Sequence, residues 1–301
     1  IKRESFKDAE KVSGDDADKL FKAQFTEEEA ETEEENTFAD KVTEFDKKLR
    51  MTEVAASLRV YSAERGIAVD MNEARTIISS LASSRFIYSY DLGETNAKLW
   101  ANIARYFGGG LKVVSSEDNA ERLLDEIQNF VSDDEDLLKI VFLDNLSTET
   151  VKKARYILSP YFNSPENVGK VFCSEEGRSD TYKVNPRLWV VASFKDETEF
   201  SSLPEDFLSG GVYLKTNARE TAEEIEKTEI KPIGYYQFST MVNNARDRYP
   251  ADEGKYKEID KYESRLSEFG FSLGNKNWQT IEKFVGTFLA ADGEQDAAID
   301  Y

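Results

Sequence analysis

The chain has 301 residues, 40% of them hydrophobic, enough core for one α/β domain with an appendage or for two domains. Its formal net charge of −20 disfavours nucleic-acid backbones and anionic membrane surfaces as partners. It contains no histidine and a single cysteine, Cys173, which excludes Ser-His-Asp and Cys-His catalysis, histidine-ligated zinc, a histidine pH switch and an internal disulfide.

Residues 1–40 read as an acidic leader. The run Thr26 to Asn36 holds seven Glu and no Lys or Arg, so it repels itself and buries nothing. A solvated linker or frayed helix is the first reading, and an acidic ligand for a basic partner is the second. No apolar run approaches a membrane span, and the first residues do not resemble a signal peptide, so the expectation is a cytoplasmic protein. The chain opens at Ile1 rather than Met, and it reads as a fragment or a processed product.

Order is expected from Phe38. Phe45, Leu49, Val54, Leu58 and Tyr61 recur at helical spacing, and Gly66 breaks the pattern. Asp70 opens a second helix with Glu73 as its capping-box partner. Strands and helices then alternate. The strands are Phe86 to Tyr90, Leu111 to Val114, Ile140 to Asn145, Leu188 to Ser193 and Val212 to Thr216. Helices are expected over Ala97 to Phe107, Glu117 to Val131 and Thr148 to Leu158. Short apolar strands separated by helices imply a parallel sheet covered on both faces. The stretch Gly169 to Arg187 reads as a β-hairpin placed before the fourth strand, with its turn around Glu175 to Asp180. After Glu229 the pattern is helical: Tyr235 to Arg248, Asp252 to Phe269, Asn277 to Leu289, and a last helix from about Gln295. The plan is a leader (1–40), an α/β domain (41–229) and a helical domain (230–301).

From about Asp70 onward this order of motifs resembles the AAA+ ATPases, in the branch of the restriction-system GTPase subunit and the MoxR-like ATPases. The resemblance implies a P-loop NTPase-like α/β fold. It would have a five-stranded parallel sheet in the order 5-1-4-3-2, an inserted β-hairpin and a C-terminal helical lid.

The chemical motifs depart from the family. A working P-loop, G-x-x-x-x-G-K-[ST], needs glycines for close backbone approach, Lys for phosphate charge and Ser/Thr for Mg²⁺. In "YDLGETNA" Tyr90 and Thr95 stand at the glycines, with Gly93 at an internal position. Asn96 replaces the Lys and Ala97 the Ser/Thr, while Asp91 and Glu94 add negative charge. The segment alone also reads as an ordinary strand-turn-helix. In "IVFLDN" Asp144 takes the place of the family's Mg²⁺-holding acid, and Asn145 replaces the Glu that polarises water. Asp144 equally reads as a turn or cap residue. At the sensor position stands Ser193 followed by Phe194, and "LSGG" (Leu208 to Gly211) lacks the Arg finger. Lys276 is the best match to the second-sensor Arg, or a solvent-facing lysine.

The vestigial nucleotide site is therefore Gly93, Asn96, Ala97, Asp144, Asn145, Ser193 and Lys276, with no catalytic residue. The expected function is a catalytically inactive, pseudo-ATPase module acting as an interaction or scaffold subunit, with a protein partner or an AAA+-type oligomer and no cofactor. The alternative is a divergent AAA+ enzyme of a restriction or phage-defence system, using ATP or GTP with Mg²⁺ held by Asp144. A third reading is a structural domain of a larger surface or phage protein without ancestral link to ATPases.

Overall fold

Among the described residues, the first helix opens just after Arg50. A computed structural model describes residues 50–91, 95–115, 130, 137–150, 157–158, 161, 170–175, 178–183, 187–194, 197–208, 210–221, 233–249, 257–268, 274–294 and 297–298. All of them fall within residues 49–301, one compact unit. The acidic leader, Gly93, most of the helix expected over 117–131 and the expected boundary near 229 lie outside the described residues.

Helix α1 (Met51–Ala63) buries Met51, Val54, Ala55 and Leu58, and Glu53 accepts a hydrogen bond from the Arg50 amide at its start. Gly66, at φ 82°, makes the turn into a two-residue strand, β1 (Ile67–Ala68). Asp70 then caps α2 (Met71–Ser83). Its carboxylate accepts from the Glu73 amide at 2.8 Å, and the Glu73 carboxylate accepts from the Asp70 amide at 2.8 Å, the reciprocal box the sequence predicts.

The chain continues through β2 (Phe86–Asp91), α3 (Asn96–Tyr106), β3 (Leu111–Ser115), β4 (Lys139–Asp144), β5 (Lys170–Glu175), β6 (Arg178–Lys183) and β7 (Leu188–Ser193). Two short helices follow, α4 (Glu197–Ser201) and α5 (Glu205–Leu208), then β8 (Val212–Thr216) and β9 (Arg219–Glu220). The C-terminal helices are α6 (Tyr235–Arg248), α7 (Lys257–Glu268) and α8 (Gly274–Ala290). Sequence periodicity does not signal α4, α5, β1 or β9, which are too short to show one.

Five strands form a parallel sheet in the spatial order β3-β4-β7-β2-β8. β5 and β6 pair antiparallel as a separate hairpin, and β1 pairs antiparallel with β9. Alternation along each strand separates two cores. Ile87, Ile140, Phe142, Trp189, Val191 and Leu214 pack on one side with residues of α1, α2, α3 and α6. Phe86, Tyr88, Val141, Leu143, Val190 and Ala192 pack on the other with Ile157, Leu158, Tyr161, Leu203 and Phe207. A mixed α/β arrangement of this kind, a five-stranded parallel sheet covered by helices, fits a P-loop-like fold.

Helix α8 lies along α2 and α6. Arg75 of α2 donates from Nε to the Ala291 carbonyl at 3.0 Å, whereas Lys283 lies with Leu81, Ala82 and Arg85. Helix α8 therefore runs antiparallel to α2. Its C-terminal end lies level with the start of α2, and its N-terminal half lies toward the amino ends of the sheet strands. Among the described residues no helix is long and apolar enough to cross a membrane.

Candidate functional site at the carboxyl edge of the sheet

In open α/β sheets ligands bind outside the carboxyl ends of the strands, where the direction of the connections reverses. Here that place is the junction of β2 and β7, because β2 leads toward β3 on one side while β7 leads to β8 on the other. Ser89 and Ser193 are direct partners across this ladder. Each gathers one half of the residues singled out from the sequence.

Ser89 organises the loop after β2. Its hydroxyl donates to Asn96 Oδ1 at 2.8 Å and accepts from Trp100 Nε1 at 2.9 Å. Asn96 Nδ2 donates back to the Ser89 carbonyl at 3.2 Å. Ser89 and Trp100 are fully buried, and Asn96 is 9% exposed. The residue in the place of a P-loop Lys thus turns into the strand end, with both polar atoms of its amide bonded to one serine. These are the partners a buried amide needs. Ala97 is half-buried and packs against the first core. Tyr90 lies under the ammonium of Lys215 on β8, 5.6 Å from the ring centroid. Thr95 donates to the Ala218 carbonyl at 3.3 Å, and Lys98 pairs with Glu220 of β9 at the exposed surface. Glu73 reaches the same edge, accepting from the Asn217 amide just after β8.

Ser193 organises the other half. Its Oγ donates toward Leu143 O and Asp144 Oδ1, both at 3.3 Å, and accepts from the Asn145 amide at 2.9 Å. The Ser193 carbonyl accepts from the Leu146 amide at 2.7 Å. Asn145 sits at φ 55°, a left-handed conformation in which Asn is among the better-tolerated side chains. The Asp144–Asn145 pair is thus a turn fastened to the neighbouring strand, with the Asp144 side chain exposed.

Phe194, next to Ser193, is 5% exposed and belongs to the second core. It stands 5.7 Å from Tyr88 and 5.6 Å from Phe200 between ring centroids. It packs, as its lack of a polar group suggests.

Asn96, Ala97, Asp144, Asn145 and Ser193 therefore share one edge of the sheet. Lys276 stands on a different element, and its side chain lies outside what the structure describes. Its turn of α8 lies on the far side of Lys283, about 10 Å along the helix axis, toward the amino ends of the strands. Gly93 lies outside the described residues. Sequence reasoning missed the hub, Ser89. Its signal is a polar residue with two aromatic neighbours inside the strand run "FIYSY", where every other residue is apolar or aromatic.

No protein-family model matches the chain, and no curated protein matches it. Among solved structures, NtrX from Brucella abortus in complex with ADP is 18% identical, with a TM-score of 0.31. That alignment covers 49% of this chain and 35% of that one, so it spans about a third of the neighbour's length. A likeness of that extent carries no argument about what this chain does.

Proposed function

We propose that the chain is an AAA+-like module that has lost nucleotide chemistry and acts by binding protein, as a scaffold or regulatory subunit. The observation that carries this reading is the closed Ser89–Asn96–Trp100 network at the start of α3. A phosphate-binding loop needs a cation and free backbone N–H groups facing the ligand. At this helix start the corresponding side chain is a buried amide whose atoms are already used, and Lys98 is held by Glu220. Asp144 and Asn145 serve the joint between β4 and β7. The strand order β3-β4-β7-β2-β8 and the β5–β6 hairpin ahead of β7 support the AAA+ half of the reading. In this reading α6 to α8 descend from the family's lid, with α8 packed along α2 and α6.

Isothermal titration with ATP and GTP, each with Mg²⁺, tests the loss of nucleotide chemistry. The expected result is no heat of binding at micromolar concentrations. Micromolar binding that disappears in Asp144→Ala would overturn the proposal in favour of a divergent nucleotide-dependent enzyme. Sedimentation velocity, alone and with a candidate AAA+ ring, reads the scaffold role.

A further inference from the structure

The chain just past β8 crosses the start of α3. Residues 217–221 leave the sheet at Thr216, where β8 still pairs with Asp91 of β2. The Asn217 amide donates to the Glu73 carboxylate, the same group that accepts from the Asp70 amide at the start of α2. The Ala218 carbonyl accepts from the Thr95 hydroxyl at 3.3 Å. Glu220 meets the ammonium of Lys98, about one turn further along α3. Arg219 and Glu220, as β9, pair with Ala68 and Ile67 of β1, and the Thr221 amide donates to the Gly66 carbonyl at 2.9 Å. The segment is thus tied to the first turns of α2 and α3 and to the corner that leads from α1 into β1.

These ties differ in kind from those that hold the sheet. Ala218 is buried, while Asn217, Arg219 and Glu220 are exposed. Such residues hide little apolar surface, and a region with few buried apolar contacts opens at low free energy. β1 and β9 are two residues each, and a two-stranded ribbon is marginal by itself. The side chains of Lys98 and Glu220 are both more than half exposed, so their pair contributes little. β8, by contrast, runs beside β2 from Ile87 to Asp91, and its Leu214 belongs to the first core. The two regimes meet at Thr216, which is fully buried.

We propose that residues 217–221 are a strap that opens as one unit beyond Thr216 while the sheet stays folded, and that its closed form is an autoinhibitory cover over the start of α3. A partner for that helix start binds the open form, so its apparent affinity is reduced by the fraction open. Glu73 sets that fraction. Its carboxylate serves the α2 cap and the strap together, and its bond to the Asn217 amide is charge-assisted. The inference goes beyond the function proposed above and holds whether or not the chain binds nucleotide.

Amide hydrogen exchange on the folded chain tests the strap. The reference is the Val190 amide, which donates to the Arg85 carbonyl between β7 and β2. The expected result is that the Asn217 and Thr221 amides share one opening constant, about a hundredfold or more above that of Val190. Relative to Val190, Lys98→Ala is expected to raise both about two- to fivefold. Glu73→Gln, a residue type that still suits the capping box, is expected to raise both about tenfold. Uncovering of α3 is read separately, by thiol labelling of Thr95→Cys in a Cys173→Ser background, which has no other cysteine. Lys98→Ala is expected to speed that labelling by the same factor as it speeds Asn217 exchange. Exchange of Asn217 and Thr221 at the Val190 rate means that the segment opens only with the whole fold, and it overturns the proposal. So does a Glu73→Gln effect confined to Asn217, which is the loss of one bond rather than the release of a strap. Thr95→Cys labelling that does not respond to Lys98→Ala overturns the cover.

Discussion

Replacing Ser89 by Ala tests whether the loop after β2 is locked. The substitution removes the hydroxyl that donates to Asn96 Oδ1 and accepts from Trp100 Nε1. It leaves a buried amide oxygen and a buried indole N–H without that partner. Each such group costs about 1–3 kcal/mol, so the expected destabilisation is about 3 kcal/mol. Asn96→Leu, of the same branched shape, removes the return bond to the Ser89 carbonyl, and the expected cost is about 2 kcal/mol. The two residues share one network, so the double variant should fall short of the sum by about 1 kcal/mol. Lys98→Ala is the control. Its partner Glu220 is exposed, and the expected change is less than about 1 kcal/mol. The assay is urea unfolding followed by far-UV circular dichroism, which does not depend on Trp100. If Ser89→Ala and Asn96→Leu each cost under about 0.5 kcal/mol, or if they add without coupling, the lock does not exist. The loop would then be free to open, and the argument for a closed nucleotide site would fail with it.

Alkaline pH should destabilise the fold through two buried phenols. Burial raises the pKa of Tyr106 and Tyr161 well above the usual value of 10.0. The native state keeps these protons at a pH where the unfolded chain releases them. Stability is therefore intact below about pH 10 and falls above it by about 1.4 kcal/mol per pH unit for each tyrosine. Tyr161→Phe should halve the slope between about pH 10.5 and 11.5, measured by urea midpoints, and an unchanged slope would contradict the assignment. At the turn from α3 into β3, Gly109→Ala should cost about 2–3 kcal/mol. An added Cβ would collide with the Leu138 carbonyl oxygen, so backbone would have to move. An unfolding midpoint close to that of the unmodified protein would show that the β4 approach is looser than this contact implies.

Much of the fold is legible in the sequence because its signals are local. The capping box at Asp70 and Glu73 is visible as two residues three apart, and the structure closes both of its bonds. Leu188 to Ser193 and Val212 to Thr216 form strands with the predicted limits, and Tyr235 to Arg248 forms a helix with the predicted limits. In each, an apolar run or a 3.6-residue period is bounded by a turn residue. The site is only partly legible. Motif order places Asp144 and Ser193 on strand ends and Asn96 at the turn into a helix, as the structure has them. Ser89 escapes notice because its importance comes from Asn96 and Trp100, seven and eleven residues later in the chain.

By itself, then, the sequence determined the longer strands and helices that the structure describes and which residue types stand at each motif position. That Asn96, Ala97 and Asn145 are not Lys, Ser/Thr and Glu is a matter of residue identity, and no packing can supply those groups. Tertiary structure alone decided where the remaining groups point. Asn96 could have faced solvent, and it turns inward because Ser89 and Trp100 offer a buried amide its partners. Helix α8 could have brought its first turn to the edge that holds Asp144, and it does not, because it runs antiparallel to α2. Arg85 and Lys283, almost 200 residues apart, face one cavity for the same reason. Such pairings depend on how helices pack against a sheet, which is a property of the whole apolar surface rather than of any short stretch of chain.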